Sequence, residues 1–323
     1  MAPRYLNASY SLFSYAARRY AGFSLIPPLP PAISIELSSC CNLYCPECFT
    51  GAGLLTRKAS FISYSQVADI ASQLRGHVIS TWLSFQGEPM MHPEFFRIAE
   101  LFRGLSPVIS TNGHYLDRES CISLAGSPLK KIIVSYDGVS PESYTMYRRG
   151  GDHALVTEGI RRLTAAVRER NSKLKVVLQF LVHRHNEHEV RAAAAFAASV
   201  GAGFRIKSMQ LLDPERAEEW MPSDRRKARY PVSGGGARPA SVAPSAGCLR
   251  MWTSAVITAD GDVVPCCYDK NAGHAMGNLA NSTFRDIWQG EKYRIFRDNV
   301  MKDRRLTDIC SSCPQGTHLF FSR

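Results

Sequence analysis

The stretch "ISIELSSCCNLYCPECF", residues 33–49, joins an apolar, strand-like run to four cysteines within nine positions. From Cys41 the spacing is C-x3-C-x2-C through Cys45 and Cys48, and Cys40 falls outside it. A structural zinc site uses four ligands, commonly as two C-x2-C pairs, whereas three cysteines leave one coordination position of a metal open. The stretch therefore indicates either a zinc site completed elsewhere or a metal site with a position open for chemistry.

Similar apolar runs recur along the chain and alternate with amphipathic helical patterns such as "YSQVADIASQL" and "EHEVRAAAAFAASVG". The predicted strands cover 33–39, 81–86, 107–111, 131–137, 174–182 and 203–209. Units of a strand and a helix that repeat about every 30 residues have the length of right-handed parallel crossovers. The sequence therefore predicts an α/β fold, a partial (βα)6 TIM-like barrel, with its chemistry at the carboxyl ends of the strands.

The residues that follow the predicted strands are small, polar or metal-binding. The second, third and fourth strands run into "QGEP" (86–89), "STNG" (110–113) and "SYDG" (135–138). Asn-Gly and Asp-Gly are ordinary turn dipeptides, so each motif alone is also compatible with a plain turn. Their succession on neighbouring strands predicts a functional site at one edge of the sheet.

Composition restricts the class of protein. Hydrophobic residues make up 45% and charged residues 21% of the 323 residues, as in an ordinary globular protein. No apolar run reaches the roughly 18 residues of a membrane span, and no secretory signal is evident. We therefore expect a cytoplasmic protein whose ten cysteines are ligands or free thiols rather than disulfides. The formal net charge of +11 suggests nucleic acid, but the basic residues are scattered, which disfavours that partner.

Residues 1–31 are expected to form an N-terminal helical extension. Leu6, Tyr10, Phe13, Ala17 and Tyr20 repeat at helical spacing, which predicts a short amphipathic helix. We expect this helix to pack on the domain; attachment to a membrane is the less favoured alternative.

The composition changes after the predicted barrel, which we assign to residues 32–224. Residues 225–247 are rich in Gly, Pro, Ser and basic residues and are typical of a linker. Residues 248–323 begin with two apolar runs around a turn at 259–262, the pattern of a β-hairpin, and carry "CSSC" near the end. We expect this segment to form a small separate domain.

The cysteine spacing, the Gly-Glu-Pro turn and their order on successive strands resemble the radical S-adenosylmethionine (SAM) superfamily over roughly residues 32–210. The resemblance implies that Cys41, Cys45 and Cys48 hold a 4Fe–4S cluster whose fourth iron is chelated by the methionyl group of SAM. The SAM-binding residues that it implies are Gln86, Gly87, Glu88, Pro89, Ser110, Asn112, Ser135, Asp137 and Arg148. Gln86 and Glu47 depart from the family pattern, which usually has glycine and an aromatic residue at these positions.

The C-terminal segment resembles the auxiliary-cluster domains called SPASM or, in a shortened form, twitch. Their opening pattern of a cysteine, a hairpin and G-x4-C is present as Cys248, Gly261 and Cys266. With Cys310 and Cys313 it implies four thiolates and one auxiliary 4Fe–4S cluster, so two such clusters in the chain. Cys267 is the alternative to Cys266, and Cys121 is expected in the core.

The resemblance implies reductive cleavage of SAM to a 5′-deoxyadenosyl radical that abstracts hydrogen, with net oxidation or modification of a peptide or small-molecule substrate. It also implies a reducing partner such as flavodoxin or ferredoxin. One alternative is an aminocyclitol or sugar alcohol dehydrogenase with a single auxiliary cluster. Another is a nucleic-acid-binding or electron-transfer protein that holds zinc or an iron–sulfur cluster.

Candidate substrate contacts come from strand alternation. Arg205, Lys207 and Met209 share one face of the sixth predicted strand, and Gln179 is a lone polar residue in the fifth. We expect Gln179, Arg205 and Lys207 to contact substrate if this face lines the barrel; otherwise it is a solvated strand face. No catalytic acid or base is nominated.

Overall fold

The computed structural model describes residues 3–224, 226–229, 246–311 and 313. Its centre is a single nine-stranded sheet in the order β6-β5-β4-β3-β2-β1-β7-β8-β9. The strands are β1 (Ala32–Ile35), β2 (Ser80–Trp82), β3 (Pro107–Thr111), β4 (Lys131–Ser135), β5 (Lys175–Val182), β6 (Gly203–Ser208), β7 (Ser254–Ile257), β8 (Asp262–Val264) and β9 (Gly277–Asn278).

The first six strands form the predicted parallel sheet. Each pairs in parallel with its successor in the chain, as in the register Ile133 opposite Val177 between β4 and β5. The described strands do not close into a ring, because β6 and β9 form the two edges of the sheet. The predicted partial (βα)6 barrel is confirmed, and all six predicted strands are present; β3 has the predicted limits, β5 begins later than predicted, and β1, β2, β4 and β6 end earlier than predicted.

The predicted C-terminal hairpin is also present, and it continues the sheet of the barrel. β7 pairs in parallel with β1, and β8 and β9 follow in antiparallel order. Of the expected linker, residues 225 and 230–245 lie outside the described residues, as do 312 and 314–323.

Twelve α-helices cover the sheet among the described residues. They are α1 (Pro3–Ala21), α2 (Tyr64–Leu74), α3 (Phe95–Leu101), α4 (Arg118–Gly126), α5 (Pro141–Tyr147), α6 (His153–Glu169), α7 (Val190–Ser199), α8 (Ala217–Trp220), α9 (Arg250–Thr253), α10 (Phe284–Gln289), α11 (Glu291–Lys302) and α12 (Asp308–Ser311). Short 3-10 turns occupy Pro89–Met91, Glu187–Glu189, Pro214–Arg216 and Arg304–Leu306.

Local sequence explains where several helices begin. Ser63 starts α2 with a capping box, in which its hydroxyl accepts from the backbone N–H of Gln66 and the Gln66 side chain accepts from the Ser63 N–H. The carboxylates of Asp117 and Asp152 cap α4 and α6 by accepting from the backbone N–H groups of Ser120 and Leu155. The apolar faces of α2 and α6 bury against the sheet, and Cys121 of α4 lies in the same core, as expected.

The N-terminal helix packs on the barrel, as expected, and it does so through its polar face. Its buried residues are Asn7, Ser11, Ser14 and Tyr15. The apolar residues Leu6, Tyr10, Phe13 and Tyr20, which repeat at helical spacing, are exposed. Hydrogen bonds from Asn7 to the carbonyls of Leu29 and His77 form in this orientation, and rotation of the helix would leave those buried groups without partners. Within the described part of the chain, no helix has the length and hydropathy to cross a membrane.

Candidate functional site

The cysteine loop follows β1 at the carboxyl edge of the sheet. The Cys48 N–H donates to the carbonyl of Cys45 at 3.2 Å, and Tyr44 N–H donates to the carbonyl of Arg149 at 2.9 Å. Gly51 allows the loop to fold back on itself, because a Cβ there would lie 2.5 Å from the backbone nitrogen of Cys45. The loop thereby brings the thiols together: those of Cys45 and Cys48 raise the pKa of Cys41, and that of Cys48 raises the pKa of Cys45.

The Gly-Glu-Pro turn lies directly against this loop. Gly87 has φ of +65°, and a Cβ there would lie 2.4 Å from the carbonyl oxygen of Ser38 and 2.6 Å from that of Cys40. The next residue, Glu88, donates its N–H to the Cys40 carbonyl at 2.7 Å, and buried Pro89 opens the 3-10 turn that Glu88 caps. Only glycine permits this approach, so the second predicted motif is part of the same site as the first.

The Glu88 carboxylate is buried and fully hydrogen-bonded. It accepts from Thr111 Oγ1 at 2.8 Å and Met90 N–H at 3.0 Å on one oxygen, and from Asn112 N–H at 2.7 Å on the other. Burial raises the pKa of Glu88 to about 7, against the lowering effect of these hydrogen bonds. A buried carboxylate held this way is suited to bind a cationic amine.

Asn112 joins the third strand end to the cysteine loop. Its amide nitrogen lies 2.7 Å from Asn42 Oδ1 and 3.9 Å from Cys41 Sγ. Ser110 is half-buried on β3, and Ser135 is buried at the end of β4. The backbone N–H of Gln86 donates to Glu36 at 3.2 Å. The structure thus places the predicted residues of the second to fourth strand ends along one edge of the sheet.

Asp137 and Arg148 form a buried ion pair at the fourth strand end. Arg148 Nε and Nη2 each lie 2.6 Å from Asp137 Oδ2, while the other carboxylate oxygen accepts from the N–H of Leu181 at 2.7 Å. Arg148 Nη1 approaches Cys45 Sγ at 3.8 Å. Asp137 therefore holds Arg148 against the cysteine loop.

The donor set at the loop fits a thiolate-bound cluster. Burial raises the pKa of Cys41 to about 11 and also raises that of Cys45, so thiolates here need nearby positive charge. Asn112 and Arg148 direct N–H groups at two of the sulfurs, as second-sphere donors to a cluster do. In the described part of the chain, no three His, Cys, Asp or Glu side chains are arranged to hold a single metal ion. A cubane does not require that arrangement, because its irons lie at separate corners.

The C-terminal cysteines come together from three segments. Cys248, Cys266, Cys310 and Cys313 are all buried, and neighbouring thiols of this group raise the pKa of Cys248, Cys266 and Cys310. Burial is the largest cause and raises the pKa of Cys310 to about 12. Four buried thiols with no disulfide between them again suit a cluster that supplies cationic iron.

Cys267 lies apart from this group in its bonding. Arg250 Nη1 donates to Cys267 Sγ at 3.3 Å, whereas the Cys266 sulfur accepts from the Tyr268 N–H at 3.4 Å. The side chain of Cys267 is only partly buried. Its position favours Cys266 as the ligand and Cys267 as a thiol held by Arg250.

The candidate substrate residues lie at the open side of the barrel, on β5 and β6. Gln179 and Arg205 are opposite in the register, and the Arg205 guanidinium donates to Gln179 Oε1. Lys207 is open to solvent at the mouth of the barrel, where desolvation lowers its pKa and the charges of Arg148 and Asp137 act on it. Met209 lies beyond β6 and is buried.

A further cation at the mouth of the barrel, Lys270, was not predicted from the sequence. Lys270, in the segment after β8, places Nζ 4.7 Å from the ring centroid of Phe49 in the cysteine loop. Burial is the largest cause that lowers its pKa, and the thiols of Cys48 and Cys267 act in the opposite direction. Lys270 therefore lies near the cysteine loop and near Cys267.

A buried network, also not predicted, ties the C-terminal hairpin to the barrel. Glu36 accepts from Arg57 and Gln86 N–H on one oxygen and from Ala259 N–H, at 2.8 Å, on the other. Arg57 also binds Asp260 at 3.0 Å. The sequence shows Glu36 as a lone carboxylate within the apolar run "ISIELSS", which could have indicated a buried polar role. It does not show the partners of Glu36, because they come from distant segments of the chain.

Replacing Arg57 by alanine is expected to destabilise the protein by about 3–5 kcal/mol, because it leaves Glu36 buried without its cation. The matched control is Arg103→Ala, which removes an exposed pair with Glu100 and should cost at most about 1 kcal/mol. The urea midpoints of the two reconstituted variants measure the difference. Equal midpoints would contradict a structural role for the buried network.

Glu47, one of the departures from the family pattern, has a structural role. Its carboxylate accepts from Leu212 N–H at 2.7 Å and pairs with Arg216 at 3.0 Å. It therefore fastens the cysteine loop to the segment after β6. Tyr44, in contrast, is exposed.

Sequence comparisons identify two families in the chain. The model of the Radical SAM superfamily matches residues 35–197, just over half of the chain. The model of SPASM, an iron–sulfur cluster-binding domain, matches residues 248–314.

Curated relatives are similar over most of their length. Mycofactocin maturase MftC of Mycobacterium ulcerans is 24% identical over 88% of this chain and 80% of its own. PqqA peptide cyclase of Gluconobacter oxydans is 24% identical over 89% of this chain and 84% of its own.

Solved structures share the fold. Streptococcus suis SuiB bound to S-adenosylmethionine aligns with a TM-score of 0.66 at 15% identity, over 89% of this chain and 73% of SuiB. BtrN in complex with AdoMet and 2-DOIA aligns with a TM-score of 0.55 at 19% identity, over 89% of this chain and 94% of BtrN. The family matches account for the Gly-Glu-Pro turn, which a zinc-binding nucleic-acid module leaves unexplained. The chain therefore belongs to the radical SAM superfamily, whose domain binds a 4Fe–4S cluster and SAM, and it carries a SPASM domain that binds further iron–sulfur.

Proposed function

We propose that this radical SAM enzyme is a maturase that modifies a peptide with net oxidation. The observation that carries the proposal is the combination of a complete barrel site with a SPASM segment fastened to it through Glu36 and Arg57. The relatives named above include a maturase and a peptide cyclase. SuiB also has a solved structure with a precursor peptide, SuiA. We further propose the domain limits 32–224 for the barrel and 248–323 for the auxiliary part.

When bound, the first cluster and SAM supply one-electron chemistry that ends in abstraction of hydrogen from the substrate. Cys41, Cys45 and Cys48 would hold that cluster. Glu88 would bind the cationic amine of SAM, and Arg148 would bind its carboxylate as a guanidinium held by Asp137. The chain's contribution is to orient these groups and to exclude water from a buried edge of the sheet.

The other predicted site residues would contact SAM or hold the second cluster. Gln86, Gly87 and Pro89 would present backbone groups, and Ser110, Asn112 and Ser135 would contribute polar contacts. Cys248, Cys266, Cys310 and Cys313 would fill every corner of the auxiliary cubane, which leaves it electron transfer or structural support rather than direct substrate binding. We favour electron acceptance, which net oxidation of the substrate requires.

We propose that the open mouth binds an anionic group of the substrate. Two ammonium groups lie at the mouth of the barrel: Lys207 of β6 and Lys270, which follows β8. Arg205 and Gln179, which are hydrogen-bonded to each other, lie on the strands at the same mouth. No carboxylate lies within ion-pair distance of Lys207 or Lys270 among the residues that the structure describes. A carboxylate of a peptide would supply the missing counter-charge.

Replacing Lys207 by methionine is expected to raise KM for an acidic peptide substrate about tenfold or more, because one charge-assisted contact contributes about 1.5–3 kcal/mol. Cleavage of SAM without substrate should change much less than KM does, since Lys207 acts on Arg148 and Asp137 through its charge and not through a hydrogen bond. Lys130→Met, a change of the same kind at the opposite edge of the sheet, is the control. An unchanged KM would contradict a substrate contact at Lys207.

The experiment for the function itself uses the reconstituted, reduced enzyme with SAM and short peptides encoded beside its gene. The expected result is formation of 5′-deoxyadenosine together with loss of two hydrogens from one peptide, read by mass spectrometry. Reduction by flavodoxin or ferredoxin should replace dithionite, and we place the enzyme in a reducing compartment such as the cytoplasm because all ten cysteines are free. Absence of 5′-deoxyadenosine from fully loaded protein would refute the proposal.

A second candidate is dehydrogenation of an aminocyclitol or sugar alcohol. It is favoured by the small number of cysteines after residue 247, which suffices for one auxiliary cluster, and by the likeness to BtrN, solved with 2-DOIA. Oxidation of such an alcohol, with no change in any peptide, would decide for this candidate.

A further inference from the structure

The outward face of α1 is largely apolar. Exposed fractions reach 56% for Leu6, 60% for Phe13 and 75% for Tyr20. Tyr5, Tyr10 and Leu12 are exposed on the same side. A groove of about 410 Å³ between α1 and the segment around Ile26 and Pro28 continues this surface. A contiguous apolar surface of this kind on a folded protein commonly marks an interaction site.

The orientation of α1 is specified by polar contacts on its other face. Asn7 Nδ2 donates to the carbonyls of Leu29 and His77, each at 2.9 Å, and the Tyr15 ring packs edge-on against Trp252 at 5.5 Å. Arg18 pairs with Asp298 at 2.7 Å. Rotation of the helix to bury its apolar face would break these contacts, so the face stays outward.

The helix lies at the end of the barrel opposite to the functional site. Its partners His77 and Gly104 immediately precede β2 and β3. The cysteine loop and the Gly-Glu-Pro turn follow the strands at the other edge. The apolar face is therefore separate from the mouth of the barrel, and its occupant is not the substrate of the reaction.

Charge indicates the chemistry of the occupant. The first 35 residues contain no Asp or Glu. Of their three arginines, Arg4 donates to the Gly104 carbonyl and Arg18 pairs with Asp298 on the protein-facing side, so Arg19 is the exposed cation beside the apolar face. Tyrosine and phenylalanine dominate the exposed face, and these side chains suit a boundary between water and lipid. Basic residues beside an apolar helix face are attracted to anionic headgroups.

The size of the face argues against a second copy of the chain. A 19-residue helix is about 28 Å long, and a strip about 10 Å wide on it covers roughly 300 Å². A stable protein interface buries about 800 Å² on each partner. A bilayer surface does not have this requirement, because it binds through the depth of insertion and the charge of the lipids.

We propose that the outward face of α1 binds the surface of an anionic lipid bilayer. The helix lies in the plane of the headgroups, Leu6 and Phe13 enter the acyl boundary, and the polar face keeps the barrel attached. The mouth of the barrel then opens away from the membrane.

The test is flotation of the reconstituted full chain with vesicles of phosphatidylcholine alone and of phosphatidylcholine with about a quarter phosphatidylglycerol. The wild type should float with the anionic vesicles, and less so as salt is raised. The double variant Leu6→Glu/Phe13→Glu should lose more than about tenfold in partition coefficient, since each side chain loses its apolar burial. The control Ile122→Glu/Leu155→Glu makes the same change of charge at exposed sites on α4 and α6 and should bind as the wild type does.

Iron content and circular dichroism show whether each variant is folded. If Leu6→Glu/Phe13→Glu is not, the milder Leu6→Ser/Phe13→Ser takes its place. Three results would overturn the inference. One is no flotation with either vesicle, and another is equal loss in the control variant. The third is a dimer in sedimentation analysis that Leu6→Glu/Phe13→Glu dissociates, which would assign the face to a second copy.

Discussion

A variant with Cys41, Cys45 and Cys48 all replaced by alanine is expected to keep about four of about eight irons per chain and to form no 5′-deoxyadenosine. The three thiols come from one loop after β1, whereas the four C-terminal thiols come from other segments. Removal of the loop thiols should therefore empty the first site and leave the second loaded. Iron and sulfide analysis after anaerobic reconstitution, with chromatography of the nucleoside product, measures both effects.

The control for this experiment is Cys40→Ala. The Cys40 carbonyl accepts from Glu88 N–H, but its thiol lies outside the C-x3-C-x2-C spacing. This variant should keep the full iron content and the activity, since alanine preserves the backbone contact. Loss of all iron in the triple variant would show that the two sites are not independent, and any 5′-deoxyadenosine from it would contradict the assignment of the ligands.

Replacement of Asp137 by alanine is expected to lower the free energy of unfolding by about 3–5 kcal/mol and to abolish SAM cleavage. The change leaves the Arg148 guanidinium buried without its carboxylate and leaves the Leu181 N–H without its acceptor. Arg148 then loses the contact that aims it at the cysteine loop. Urea midpoints and 5′-deoxyadenosine formation measure the two effects separately.

The double variant Asp137→Ala/Arg148→Met distinguishes stability from function. Removal of both charges avoids the unpaired buried cation, so the double variant should recover part of the stability that the single one loses. It should not recover SAM cleavage, because the guanidinium itself is gone. Full activity in a folded Asp137→Ala variant would show that Arg148 needs no partner to work.

Much of the fold followed from local patterns. The six parallel strands were predictable because buried strands in an α/β protein are short apolar runs separated by helical periodicity. β3 (Pro107–Thr111) and α2 (Tyr64–Leu74) have the predicted limits. β1 ends at Ile35, four residues before the predicted end. The chain turns there because Glu36 enters the buried network with Arg57 and residues of the C-terminal hairpin.

By itself, the sequence determined the family, the order of the motifs and the candidate ligands. Those features depend on residue type and close spacing: three cysteines within one loop, or a glycine where a Cβ would meet a backbone carbonyl 2.4 Å away. Periodicity likewise determined that α1 would be an amphipathic helix.

Only the tertiary structure decided which side of α1 faces the protein and which charges pair. The apolar stripe alone does not show that Asn7 will find carbonyls at residues 29 and 77, and those contacts set the orientation. The pairing of Asp137 with Arg148, and of Glu36 with Arg57 and Ala259, likewise joins distant positions of the chain. Such pairs form because folding brings buried polar groups together in a place where each must be satisfied, and that requirement acts in space rather than along the sequence.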